Sequence, residues 1–389
     1  WARAAVLCAS KARRSRNGPS FPQNQNKTSF APRDPSRTTG MKMEETMNLR
    51  AQNPPHIRSR ESNQTVMGDT VIAMLPLYAM AFYFYGPRSL ALGAVSCLTC
   101  ISADFVCQLI GRKVPNVRDY SPLITGMIIP LLLPASTRYW IVVAAGLFAI
   151  CVAKQPFGGI GHNVFNPAAA GVAFAVICWP RSTFQFPVPF DPLPVTGEIT
   201  ARLVASPGRA LAMGGVPTTD FMDMLLGNVP GPMGGTNILV LLTCLLFLAV
   251  RKTVNLYTTG AFLGGVAITA AIFPRAVMAP FPSILYEVMS GWVMITAVFL
   301  INDPVSSPKR RSARLLYGFL AGVVGIVFRH LGKFEDSLLF ALLVMNASVY
   351  MIELWAEQAA HAFRRKNREL TTSANLSAPD GEDLGDTEG

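Results

Sequence analysis

Apolar residues in this chain neither alternate nor keep to one stripe. They come in long uncharged blocks divided by short polar punctuation. IVVAAGLFAICVA at 141–153, NILVLLTCLLFLAV at 237–250 and LLFALLVMNASVYMI at 338–352 are three such blocks. With their flanks, each approaches the ~20 apolar residues that cross a bilayer core. Ten apolar segments can be marked out, at 67–86, 88–110, 119–134, 138–154, 163–180, 236–250, 254–274, 281–301, 312–331 and 336–355. Several are short or interrupted by Gly and Pro. In lipid such backbone is tolerated only where protein or a water-filled cavity surrounds it. The pattern predicts an all-α integral membrane protein with about ten transmembrane helices and broken or re-entrant segments.

The two halves echo each other. SPLITGMIIPLLLP (121–134) matches SGWVMITAVFLINDP (290–304) in position and pattern. AAGLFAICVAK (144–154) followed by FNPAAAGVAF (165–174) parallels LAGVVGIVFRH (320–330) followed by MNASVYMI (345–352). Repeats of broken helices serve carriers that bind ions or solutes near the bilayer midplane. The expected organisation is an N-terminal cytoplasmic or disordered segment at 1–60, a first membrane repeat at 61–180, an outward-facing segment at 181–235, a second repeat at 236–356 and a disordered cytoplasmic tail at 357–389. Residues 1–40 read either as a disordered tail or as translated upstream sequence ahead of Met41, Met43 or Met47.

Composition agrees: 51% of residues are hydrophobic and 15% charged, against about 25% charged in soluble domains. The net charge of +11 lies largely in the N-terminal tail and in loops beside apolar blocks. Arg112, Lys113, Arg118, Lys154, Arg251, Lys252, Lys309, Arg310, Arg311 and Arg314 fall on one side, and Arg88, Arg138, Arg275, Arg329 and Lys333 on the other. The larger set faces the cytoplasm, so both termini are expected inside. No basic face with interleaved aromatics occurs, which excludes nucleic acid as a partner. Cys97-Leu-Thr-Cys100 has redox-pair spacing, but no second pair or neighbouring histidine completes a metal site. There is no G-x-S-x-G element, phosphate-binding loop or dinucleotide fingerprint, so the chain carries no catalytic residues of its own.

Three places carry candidate chemistry. GGIGHNVFNPAAAGVAF at 158–174 is either an interhelical loop with a small-residue packing face or a re-entrant segment lining a cofactor or ion path; Gly158 and Gly159 permit its tight turn. Asp104 is either an ion- or proton-binding carboxylate in the membrane or a boundary residue solvated or paired with Arg112 or Lys113. Asp303, ahead of Pro304, either holds a cation with a helix C-terminus or caps the inner face near Lys309 and Arg310.

The stretch KQPFGGIGHNVFNPAAAGVAF (154–174) resembles the family that holds the D subunit of the Rnf electron-transport complex and the B subunit of the sodium-pumping NADH:quinone reductase. PHIRS (55–59), LLGNVPGPMGGT (225–236), DPVSSP (303–308) and LLVMNASV (342–349) extend the match from about Asn53 to Glu353. The short N-terminal arm and compact length favour the Rnf protein over its quinone-reductase relative. The resemblance implies ten helices in two inverted repeats, an architecture like that of urea channels. It implies FMN joined through its phosphate to a hydroxyl side chain in the outer loop, and riboflavin as a second flavin. It further implies a bacterial inner-membrane translocase passing electrons between ferredoxin and NAD, coupled to Na⁺ or H⁺. The partners would be the A, B, C, E and G subunits of the Rnf complex, a flavin transferase and membrane lipid. A urea-channel-like solute channel or carrier and the B subunit of a sodium-translocating NADH:quinone reductase are the alternative readings.

The flavin motif of the family, Ser/Thr-Gly-Ala-Thr, is altered here to TARLVASPGRALAMGG (200–215). Holding the spacing to Gly214 and Gly215 places Ser206 at the attachment position, with Leu203, Val204 and Thr200 at departures from the pattern. Arg202 and Arg209 flank it and suit a phosphate. A second alignment puts Arg209 at the attachment position and leaves no attachment. Attachment requires Ser206 to lie in an exposed loop. Asn163, Asn166 and Asn346 are expected to satisfy the carbonyls of broken helices or to contact a flavin ring, Asn346 occupying the place in the second repeat that Asn166 holds in the first.

Overall fold

The computed structural model describes residues 63–112, 119–159, 161–197, 199–332 and 334–376. The expectations for 1–60, Lys113, Arg118 and Lys333 lie outside these. The first half holds α1 (Asn63–Tyr85), α2 (Pro87–Ile110), α3 (Ser121–Leu132), α4 (Tyr139–Phe148) and α5 (Pro167–Cys178). α4 continues through a π-turn (Ala149–Lys154) into a 3-10 turn (Gln155–Phe157). The intervening segment contains β1 (Phe186–Pro187), β2 (Leu203–Val204), α6 (Pro207–Ala212) and α7 (Phe221–Leu226). β1 and β2 pair antiparallel, Phe186 opposite Val204. The second half holds α8 (Ile238–Val250), α9 (Leu256–Ile272), α10 (Pro280–Met289), α11 (Val293–Ile295, running on as a π-turn Thr296–Leu300), α12 (Arg311–Leu331) and α13 (Leu338–Leu376).

Local sequence explains the breaks. Pro87, Pro167 and Pro280 each open a helix, where the missing N–H costs nothing and φ is preset. Asn166 and Asn237 cap α5 and α8 by accepting from Ala169 N and Val240 N at 3.2 and 3.0 Å. Every one of the ten apolar segments is helical. Five helices are long and apolar enough to cross a membrane, and α10 with α11, bent by 67°, makes a sixth. Ten crossings were expected; the difference lies in α3, α5, α8 and α9, which have only 10–17 residues against the ~20 a bilayer core requires.

The halves pack in the same order. α2 lies against α3 and α4, and α4 against α5; α9 lies against α10 and α12, and α12 against α13. The first helices of the halves meet (α1 with α8), and so do the last (α5 with α13). The α9–α12 contact depends on small residues: a Cβ on Gly265 would collide with the Phe319 carbonyl, and one on Gly322 with that of Phe262. Close backbone approach of this kind packs helices where lipid gives no hydrophobic drive. Large apolar side chains such as Leu98, Ile110, Val250 and Tyr350 point outward, 69–78% exposed, as a lipid-facing surface requires.

One boundary differs from expectation. α13 runs on to Leu376, so 357–376 is helical rather than a disordered tail. The 181–235 segment is organised by its hairpin and short helices, and is anchored by Phe190 N donating to Phe84 O at 2.9 Å.

Candidate functional site

Polar features gather at the two ends of α3. At its N-terminal end a cavity of about 120 Å³ opens between the halves. The first half contributes Thr70, Ser121, Thr125, Asn163 and Asn166, and the second Thr253, Asn302 and Asp303; Ile124, Ile128, Leu248, Val298 and Phe299 make apolar walls. Asn163 Nδ2 donates to Phe165 O at 3.1 Å, which fixes the turn before α5. Asn302 Nδ2 donates to Thr259 Oγ1 at 2.8 Å and to Ala297 O at 3.0 Å, satisfying a carbonyl that the π-turn frees. Asp303 accepts from Val305 N at 3.2 Å and Ser306 Oγ at 2.7 Å. Burial raises its pKa above the usual carboxylate range against these bonds, so it binds a proton more readily than a solvated aspartate.

The structure thus joins Asn163 and Asn166 with Asp303, far away in sequence, in one cavity. Gly158 and Gly159 are not in its wall; their φ of +122° and +92° turns the chain from α4 toward Asn163. Asn346 is also elsewhere. It lies within α13, accepting from Tyr317 Oη at 2.6 Å, whereas Asn166 caps α5, so the two do not occupy matching places. His162 is exposed, and no group of three metal-ligating side chains occurs among the described residues.

Asp104 is spoken for. Lys154 Nζ, at the end of the π-turn, lies 3.1 Å from Asp104 and 3.4 Å from Asp119, with all three side chains at most 4% exposed. Gln155 and Gln108 donate to the two Asp104 oxygens at 2.7 and 2.5 Å. Of the alternatives of an ion-binding carboxylate and a boundary residue solvated or paired with Arg112 or Lys113, the structure shows an ion pair, but with Lys154. The positive-inside count places Lys154 among the loop charges, and the sequence pattern gives no sign of its burial.

At the other end of α3 is an ionic frame that sequence reading missed. Arg329, fully buried, donates to Asp336 at 2.8 and 3.1 Å and to Glu287 Oε2 at 2.7 Å. Glu287 also takes Arg275, and Asp336 accepts from Trp292 N at 2.9 Å. The only sequence signal was a charged residue within or beside an apolar block.

Ser206 abuts this frame. It is 6% exposed, caps α6 by accepting from Gly208 N at 3.1 Å and donates to Glu335 Oε1. Arg202 and Arg209 are exposed. The expected exposed serine is therefore a buried one with both hydrogen-bonding roles filled. A phosphodiester here would set an anion against the Glu335 carboxylate, so these residues do not fit tethered FMN. The cavity at the other end, about 120 Å³, pairs apolar walls with polar side chains from both halves.

Two like-packed helical halves, outward apolar faces and a polar cavity between the halves define a multi-pass membrane protein with a site at the repeat interface. Comparison with known proteins makes this particular. Residues 50–361 match the model of the NQR2, RnfD, RnfE family, and the chain belongs to that family. It is 29% identical to the D subunit of the Na(+)-translocating ferredoxin:NAD(+) oxidoreductase complex of Acetobacterium woodii, over 83% of this chain and 98% of that protein. It is 28% identical to the D subunit of the ion-translocating oxidoreductase complex of Stutzerimonas stutzeri, over 81% and 96%, and 29% identical to its counterpart in Aeromonas hydrophila, over 80% and 98%.

Proposed function

We propose that this chain is the D subunit of an ion-translocating oxidoreductase complex, set in the bacterial cytoplasmic membrane with both termini inside. It acts with the other subunits of the complex, which handle ferredoxin and NAD, and has no catalysis of its own. We further propose that the cavity between the halves holds a flavin. The observation that carries this reading is the convergence of Asn163 and Asn166 with Asn302 and Asp303 on one apolar-walled cavity. Their amides offer donors and acceptors together, as the imide edge of a flavin requires. No Arg or Lys lines the cavity among the described residues, which favours riboflavin over a phosphorylated flavin. The cofactor would supply one- and two-electron transfer, and the protein positions it. Asp303 is the residue that would hold a proton or Na⁺ beside it.

A solute channel is less well supported. Ile129, Leu131 and Leu132, between the two ends of α3, are at most 1% exposed and leave no open route along it. The test is flavin extraction from the complex purified with its sister subunits. An Asn163→Ala/Asn166→Ala protein should lose flavin that Ser206→Ala retains. A colourless wild-type protein, or equal flavin in both variants, would overturn the cofactor assignment. Sodium- or proton-coupled ferredoxin:NAD activity persisting in vesicles that lack this chain would overturn the function.

A further inference from the structure

Spacing along the chain marks Cys97 and Cys100 as a redox pair, but each is engaged elsewhere. Cys97 Sγ reaches the Leu123 carbonyl at 4.0 Å, and Cys100 is fully buried with its sulfur against Gly146. Cys244, also buried, donates to Ala73 O at 3.0 Å. The cysteines that meet are Cys107 and Cys151, 44 residues apart in sequence, with their sulfurs 3.6 Å from each other. Among the described residues no other two thiols are in hydrogen-bond contact.

The fold of the first half brings them together. Cys107 is in the last turn of α2, and Cys151 is in the π-turn Ala149–Lys154 that ends α4. Asp104, three residues before Cys107, pairs at 3.1 Å with Lys154, three residues after Cys151. Side chains three apart share a helix face, so one ionic contact presses together the two segments that carry the thiols. π-turns recur at functional sites. Cys151 is exposed and Cys107 half-buried, so a reagent reaches Cys151 first.

We propose that Cys107 and Cys151 form a reversible dithiol–disulfide site that pins the C-terminal end of α2 to the π-turn. The oxidant is a low-molecular-mass disulfide of the glutathione class. The Cys151 thiolate attacks one of its sulfurs and releases one thiolate. The Cys107 thiolate then attacks the Cys151 sulfur and releases the second. Two protein thiols are oxidised to one disulfide, the small disulfide is reduced to two thiols, and the two protons pass to those thiols. A disulfide holds its sulfurs at ~2.05 Å, so closing the 3.6 Å contact takes a movement of about 1.5 Å. The bond braces the segment that carries Lys154 against the helix that carries Asp104. The proposal is independent of the flavin.

The test is thiol mapping of the full chain in detergent, poised with oxidised or reduced glutathione, alkylated with N-ethylmaleimide, denatured and digested with trypsin. Trypsin cuts between the two cysteines, at Arg112 and Arg138 among other sites, so the bond appears as two joined peptides, lighter than their sum by two hydrogens. An oxidising poise should give the joined species, dithiothreitol should reverse it, and Cys97 and Cys100 should not change state. Cys151→Ser, at an exposed position, should abolish the joined species. Oxidised wild-type protein should show a higher thermal midpoint than reduced protein, because the cross-link restrains the unfolded chain, and Cys151→Ser should lack that shift. Both cysteines still alkylated at the oxidising poise, separate glutathione adducts without a joined peptide, a joined peptide that survives Cys151→Ser, or a midpoint unmoved by oxidation would each overturn the proposal.

Discussion

Ser206 donates its hydroxyl to the carboxylate of Glu335 across 129 residues of sequence. The bond ties the segment between the halves to the turn between α12 and α13. It also gives Ser206 a structural duty, since the same oxygen caps α6. Ser206→Ala should therefore lower stability by about 1 kcal/mol, the usual worth of an N-cap, read as a lower thermal midpoint in detergent. It should leave no altered flavin-bearing peptide by mass spectrometry, since none is expected in the wild type.

Glu335 makes stability depend on pH. Burial pushes its carboxyl up to about 7, with the neighbouring Asp336 adding to the rise and the Ser206 bond, Arg209 and Arg329 opposing it. A carboxyl with a raised folded pKa contributes stability in full below its unfolded value and loses that contribution as pH rises through the folded one. The midpoint should fall between about pH 4.5 and pH 7 for this group, by no more than about 3 kcal/mol in all. Glu335→Gln should flatten that part of the profile; an unchanged slope would show that another group titrates.

The Lys154 ammonium stands between two carboxylates. Lys154→Met would leave Asp104 and Asp119 buried without their cation, and breaking a buried pair costs about 3–5 kcal/mol. The expected outcome is severe loss of folded protein by size-exclusion chromatography. The triple change with Asp104→Asn and Asp119→Asn should recover much of it, because no unpaired charge then remains. If Asp104 instead served as a free ion ligand, Lys154→Met would spare the fold.

Gly322 meets the Phe262 carbonyl where α9 and α12 cross. Gly322→Val should force the two helices apart and destabilise the second half by a few kcal/mol, in the manner of overpacking. Gly264 has open space around it, so Gly264→Ala should leave the thermal midpoint nearly unchanged and serves as the control.

The sequence by itself determined the solvent, the helices and the family. Uncharged blocks as long as 141–153 and 338–352 have no stable place but lipid or a helical core, and Pro and Asn at block edges fix where helices start. The Asn163, Asn166 and Asp303 motifs were visible for the same reason: polar residues stand out against oil. What only the tertiary structure decided was which of them meet. Asn166 and Asp303 share a cavity because the halves face one another, whereas Asn346, alike in pattern, turns to Tyr317. Lys154, Arg88 and Arg329 looked like loop charges, since burial and pairing depend on neighbours 35 to 47 positions away for the first two and 42 for the third. Ser206 was expected to be exposed because it falls in the outward segment between the repeats, where attachment would require it. The ionic frame that buries it comes from helices far along the chain, and one-dimensional periodicity carries no record of such contacts.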